Sequence, residues 1–333
     1  MGILLFSLFR NNSQTETILF GVFAAVIFAF LVIDLGIFNK TAKKISTKSA
    51  LIQSVFWVII SSIFGYLVYF FDKDASTVSS DASIEFFSAY LTEYALSVDN
   101  IFVILLILKY FSVKDEYYHK ILFWGILGAV VFRGFFIFVF AALIGLFHWI
   151  LYIFGVFLIY SGIKIYFGDS DEQIDPEKNP ILKLCRKYLP ITKDEMGGKF
   201  LASINGKWMF TPLFLVVVLV ETTDLVFAVD SIPAAFAITQ NEFLVYTSNI
   251  FAVMGLRAMF FLLAGIIDKF YLLQKGLSII LFFIGAKMLL DIIPIELSPT
   301  LSFTVIIVTL TLSIIFSVVI PRQNSEEEVE ESK

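Results

Sequence analysis

The sequence predicts an all-α, polytopic membrane helix bundle of about nine transmembrane helices, with two inverted three-helix repeats inside it. Three observations predict this. The chain is 59% hydrophobic and 16% charged, with a mean hydropathy of +0.88, against roughly 25% charged residues in a soluble domain, so lipid is its solvent. Nine segments meet or approach the length of about 20 apolar residues that crosses a bilayer. Two acidic motifs of equal internal spacing, in the third and sixth of those segments, divide the chain into matching parts.

Taken in order, residues 1–9 are apolar but short, and Arg10 follows without a small-residue cleavage site. A short interfacial helix is expected there, not a removed signal peptide. The N-terminal helices occupy residues 17–71, with spans at Ile18–Phe38 and Leu51–Phe71. The first repeat, 84–167, contains Ile84–Phe111, Ile121–Leu143 and Phe147–Phe167. The loop 168–207 holds seven acidic and seven basic residues with Pro176, Pro180 and Pro190, and reads as a solvated cytoplasmic linker with short helices. The second repeat, 208–293, contains Met209–Ile238, Phe243–Ile267 and Gly276–Ile293, and the last helix is 301–320. Residues 321–333 form an acidic tail with five glutamates, which is expected to be disordered.

Of the 24 basic residues, 18 lie in the C-terminal tail and in or beside the loops after the first, third, fifth and seventh spans. The opposite side holds only Arg10 and Lys73, and four lie within spans. The positive-inside rule then places the N-terminus outside and the C-terminus in the cytoplasm of a multi-pass inner-membrane protein.

The third span carries TEYALSVDNIF and the sixth VETTDLVFAVDSIP, so that Glu93 aligns with Asp224 and Asp99 with Asp230. The alignment continues through Arg133 over Arg257 and Lys164 over Lys287, with offsets of 131, 124 and 123 residues. Each unit has an odd number of spans, so the second must enter the bilayer from the other side, as in many secondary transporters. Asp34, in VIDLGIF, is a weaker echo of the same motif.

An ionised side chain at the bilayer centre costs roughly 2.5–3.5 kcal/mol on insertion scales. Asp34, Glu93, Asp99, Glu221, Asp224 and Asp230 are therefore candidate metal ligands, together with Asn100 beside Asp99. Pairing with Arg133, Lys164, Arg257 and Lys287 is the structural alternative. Six acids against four bases leave two negative charges, which one divalent cation would cancel. At 3.6 residues per turn Glu93, Ser97 and Asn100 share a stripe, as do Glu221, Asp224 and Ser231. Asp99 lies about 120° from Glu93, and Asp230 about 180° from Glu221, around an unbroken helix. A break at Pro233 would reconcile the second pair. His119 and His148 fall at loop edges and the single cysteine, Cys185, in the long loop. The acidic spans thus offer oxygen ligands, which suit magnesium, calcium or manganese, and the residues alone do not order the three.

At EYALSVDN and ETTDLVFAVDS the chain resembles the TerC family of membrane proteins, in its Alx-like branch, and the resemblance extends from Asp34 to the ninth span. It implies a bundle with two inverted three-helix repeats and manganese efflux. It also implies a metal-site role for Asp34, Glu93, Asp99, Asn100, Glu221, Asp224 and Asp230. On that basis the expected cargo is Mn2+, ahead of Ca2+ or Mg2+. Protons can replace the metal on carboxylates left close together in a low dielectric, so exchange for protons is expected. No prosthetic group and no nucleic acid are expected; the lipid bilayer and the metal ion are the partners. Three rivals remain: an intramembrane aspartyl protease, for which no GxGD motif appears in a span; a channel; and a scaffold for membrane-protein insertion, metalation of exported proteins or redox homeostasis.

Overall fold

The computed structural model describes residues 14–33, 47–72, 82–147, 149–167, 180–192, 196–204, 206–264, 272–290 and 297–319. The side chains of 14–16, 71–72, Asp99, Phe102, Pro180 and Met196 are outside that description, as are Asp34, His148 and the acidic tail. Ten α-helices are present among the described residues: α1 Gln14–Ile33, α2 Thr47–Asp72, α3 Ala82–Tyr110, α4 Asp115–Leu146, α5 Ile150–Phe167, α6 Pro180–Tyr188, α7 Pro212–Ile238, α8 Glu242–Leu263, α9 Leu273–Leu290 and α10 Pro299–Val319. Eight of them are long and apolar enough to cross a membrane, and α1 contributes a shorter apolar stretch, Thr17–Val32. Each expected span coincides with one of these helices wherever it is described.

Local chemistry explains the helix starts. Pro212 at the first turn of α7 follows Thr211 in extended conformation, where the missing amide costs nothing. The Asn241 side chain caps α8, accepting hydrogen bonds from Phe243 N at 2.9 Å and Leu244 N at 3.3 Å. Several hydroxyls within the apolar helices are satisfied by their own backbone: Ser61, Ser88, Thr222, Thr223 and Thr247 each donate to the carbonyl four residues earlier.

The most enclosed helices are α3 and α8, while α4, α5 and α10 present most of their apolar surface outward. In this arrangement the helices richest in polar side chains avoid lipid, as the cost of intramembrane polarity demands. The two trios α3–α5 and α7–α9 interlock, α3 packing on α7 and α8, α4 on α7 and α8, and α5 on α9. At α5–α9 the backbones touch. A Cβ at Gly155 would lie 3.1 Å from the Gly285 carbonyl oxygen, and one at Gly162 would lie 2.7 Å from that of Ser278. Moving two turns up α5 thus moves two turns down α9, so the two helices run antiparallel. Under the 123-residue offset of the sequence alignment Gly155 corresponds to Ser278 and Gly162 to Gly285, so that alignment maps each contact onto the other.

Two sequence expectations are corrected. α7 runs unbroken through Pro233; the proline removes one hydrogen bond, which a packed transmembrane helix tolerates. The 168–207 loop, where it is described, is docked and not merely solvated. Strands β1 (Leu201–Ile204) and β2 (Lys207–Phe210) form an antiparallel hairpin pairing Leu201 with Phe210 and Ile204 with Lys207. Gly206, with φ +75°, follows Asn205 between the strands, the dipeptide that tight hairpins favour. Thr211 ties the hairpin to α7 through its amide to Phe200 O at 3.0 Å and its hydroxyl to Lys199 O at 2.6 Å. On α4, Lys120 Nζ donates to Gly198 O at 2.8 Å and lies 4.5 Å from the centre of the Phe200 ring. Leu182 of α6 is fully buried in a cluster with Ile104, Leu122, Val220 and Leu256, so the segment caps this end of the bundle.

Candidate functional site

Where α3, α4, α7 and α8 meet, one fully buried guanidinium organises the polar core. Arg133 of α4 grips Asp224 of α7 with two parallel bonds, Nε to Oδ2 at 3.0 Å and Nη2 to Oδ1 at 2.8 Å. Its Nη1 donates to Glu93 Oε1 of α3 and to Asn249 Oδ1 of α8, the latter at 3.0 Å. Asn249 Nδ2 donates to Glu93 Oε2 at 2.8 Å, and Asn100 Nδ2 donates to Asp224 Oδ1 at 3.3 Å. Arg133, Glu93 and Asp224 are 0%, 2% and 7% exposed. The fork geometry matches carboxylates in a way that lysine cannot. Removing one member of such a buried set typically costs about 3–5 kcal/mol, because it strands a charge. The two acids that the repeat alignment equates, Glu93 and Asp224, are therefore brought together on one arginine.

Glu221, one turn before Asp224 on α7, occupies a separate place. Its carboxylate lies against Gly128 of α4, where a Cβ would overlap both oxygens and the carboxyl carbon. Neither oxygen has a hydrogen-bond partner among the described residues, and both are shielded from solvent. The same is true of Ser97 Oγ, Asn100 Oδ1 and Ser231 Oγ. Beside Asp224 is a cavity of about 20 Å³, room for a single water, lined by Gly125, Ala129, Val220, Leu256 and Arg257 among others.

Asp230 stands apart again, half-buried, accepting a hydrogen bond from Ser161 Oγ of α5 at 3.1 Å. Lys164, one turn further along α5, acts on it electrostatically and is itself exposed. Lys287 of α9 is half-buried. Asp99 sits on α3 next to Asn100, with its side chain outside the described residues, as is all of Asp34. The described acids thus occupy three stations: Glu93 with Asp224, Glu221, and Asp230. Among the described residues no three histidine, cysteine, aspartate or glutamate side chains gather as a metal cage.

Three participants escaped the sequence reading. Asn249 bridges Arg133 and Glu93, Ser161 holds Asp230, and Gly128 makes room for Glu221. Asn249 could have been found, because SNIF at 248–251 repeats DNIF at 99–102 within an apolar helix. Ser161 and Gly128 carry no such signal.

Fold and site together define a polytopic integral membrane protein built around a buried network of ionisable residues. The chain belongs to the TerC family, matching the description "Integral membrane protein TerC family" over residues 78–325. It is 40% identical over 305 residues to an uncharacterized membrane protein of Rickettsia bellii, covering 91% of this chain and 99% of that one. To an uncharacterized membrane protein of Myxococcus xanthus it is 40% identical over 298 residues, 89% and 91% of the two chains. To an Escherichia coli protein named "Putative membrane-bound redox modulator Alx" it is 41% identical over 304 residues, 90% and 94% of the two chains. No solved structure is matched.

Proposed function

We propose that this protein is a secondary transporter of the inner membrane that exports a hard divalent cation, manganese ahead of calcium or magnesium, from the cytoplasm in exchange for protons. One observation carries the reading: Glu93 and Asp224, which the alignment of the two acidic motifs equates, converge inside the bundle on a single arginine. Structural proteins have little use for carboxylates at that depth, whereas cation carriers place them at the interface of their repeats. The antiparallel, repeat-related contacts of α5 and α9 support an inverted relation between the trios. Oxygens of Glu221, Ser97, Asn100 and Ser231 that have no hydrogen-bond partner among the described residues supply the donors a hard cation takes. The choice of manganese rests on the family resemblance, and the proton on chemistry: it is the cation that can replace a metal ion on a carboxylate. An N-terminus outside and a cytoplasmic C-terminus follow from the basic residues.

The test is cytoplasmic manganese under manganese load, in cells with and without the protein, followed by flux into inverted vesicles. Lower manganese with the protein present is expected, together with vesicle uptake that stops when the pH gradient is collapsed at clamped voltage. Unchanged manganese would sink the export reading. Undiminished flux after collapse would sink proton exchange alone.

The name of the Alx relatives favours a second reading, a membrane scaffold serving redox homeostasis, protein insertion or metalation. With Cys185 as its only cysteine, one chain has no internal dithiol couple, which favours a redox effect that runs through the transported metal. A redox phenotype that survives at unchanged manganese content would favour the scaffold.

A further inference from the structure

Deepening the cation-transport reading, and resting on it, we propose that Arg133 is a tethered competitor of the transported ion: a positive charge built into the chain that holds Glu93 and Asp224 until a divalent cation displaces it. The argument is an account of oxygens. Glu93 Oε1 is taken by Arg133 and Oε2 by Asn249; Asp224 Oδ1 is taken by Arg133 and Asn100, and Oδ2 by Arg133. All four carboxylate oxygens face N–H donors. A carboxylate oxygen has two lone pairs, and only Asp224 Oδ1, which accepts from both Arg133 and Asn100, has none to spare. A hard cation bound to this pair at roughly 2.0–2.6 Å would also stand against the Arg133 charge in a low dielectric, so cation coordination and the Arg133 contacts compete.

The surroundings favour a cation as the displacing group. Asn100 spends its amide nitrogen on Asp224 while its Oδ1 is buried without a partner among the described residues. Ser97 Oγ, on the same α3 stripe as Glu93 and Asn100, is equally buried and unpartnered. Arg133 spends four of its five N–H groups on the carboxylates and Asn249, whereas Ser97 Oγ and Asn100 Oδ1 are oxygens of the kind a hard cation takes. Charge adds discrimination, because a monovalent ion replacing Arg133 only substitutes one positive charge for another. A divalent ion brings a second charge to two carboxylates in a low dielectric, so the arginine acts as a filter for charge as well as a place-holder.

The test is equilibrium binding of Mn2+ itself to the purified full chain in detergent, comparing wild type with Arg133→Gln and Arg133→Lys. Lysine keeps the charge but loses the fork. It carries the test alone if the glutamine variant fails to fold because it strands two carboxylates. The expected result is tighter Mn2+ binding in the variants, by roughly tenfold or more for glutamine, in the range of coupling between competing ligands, and by less for lysine. Flux is expected to slow in both. Mn2+ binding that is weaker than, or equal to, the wild type in the variants that fold would overturn the proposal, since it would make Arg133 a positioning residue for the site. An absence of Mn2+ binding in the wild type and in every folded variant would remove the cation reading itself, and this inference with it.

Discussion

Gly128→Ala separates the carboxylate of Glu221 from its seat with one methyl group. In the structure an alanine Cβ at 128 would overlap Glu221 Oε1, Oε2 and Cδ at once. Ordinary non-bonded carbon contacts begin near 3.5 Å, so the carboxyl group must retreat by roughly 1 Å or more. The atoms that move are the far end of a flexible side chain, which limits the cost to folding, and alanine at a helix interior returns up to about 1 kcal/mol over glycine. The expected outcome is a chain of near wild-type thermal stability in detergent whose manganese flux falls by tenfold or more, since misplacing a reacting group by about 1 Å can cost on the order of a hundredfold. Shortening the acid restores room. Glu221→Asp removes one carbon–carbon bond, about 1.5 Å, so the Gly128→Ala/Glu221→Asp double variant is expected to transport better than Gly128→Ala alone, a coupling that only neighbouring groups show. Gly145→Ala, with nothing within 4 Å of its Cβ, is the control. Wild-type flux in Gly128→Ala, or no recovery in the double variant, would refute the assignment of Glu221 to the transport site.

Three further outcomes are expected. A reporter fused after Lys333, or within the 168–207 loop, reads as cytoplasmic, and a periplasmic signal at either point would overturn the orientation. Asp99→Asn and Asp230→Asn each abolish manganese efflux while leaving the protein inserted, because the side chains keep their volume and lose their charge, with Glu328→Gln in the tail as control; wild-type manganese in both would remove these residues from the site. Gly285→Ala destabilises the fold by about 1–3 kcal/mol, the usual cost of overpacking, since its Cβ would stand 2.6 Å from Gly155 O and 2.9 Å from Ile159 N. A melting temperature equal to the wild type would show that α5 and α9 are not in backbone contact.

The spans were legible because length and apolarity decide them, and both are written residue by residue. The matched motifs singled out Glu93 and Asp224, and the structure brings both to Arg133. What the sequence could not supply was partnership. Helical angles separated Asp230 from Glu221, and the structure keeps them apart, with Asp230 on Ser161 and Glu221 on Gly128. The expected break at Pro233 would have reunited them, but α7 continues through it as one helix. Whether Arg133 would meet Glu93, Asp224 or both depends on how α3, α4 and α7 cross, which periodicity does not encode. The hairpin was readable in principle from Asn205-Gly206, but β2 ends in Met209 and Phe210, which merge with the apolar run of α7 and hide its boundary.

Two glycines on different helices therefore ask different questions of the same molecule. At Gly285 the obstacle to a side chain is backbone, the carbonyl of Gly155 and the amide of Ile159, and backbone in a helix cannot step aside without the whole helix moving. The trios are joined there by a seam that has one arrangement. At Gly128 the obstacle is the tip of a glutamate, and deeper in the core the groups that meet are side chains with discrete alternative partners: one guanidinium, two amides and two carboxylates. Such a network can exchange partners while its helices keep their packing, which a seam of touching backbones cannot do. A carrier must hold its halves together and rearrange its centre, so a substitution at the seam should register in the melting curve and one at the centre in the flux. The opposite pattern, with Gly285→Ala transporting poorly at full stability and Gly128→Ala unfolding at full specific activity, would place the moving parts at α5 and α9 and the fixed ones around Arg133.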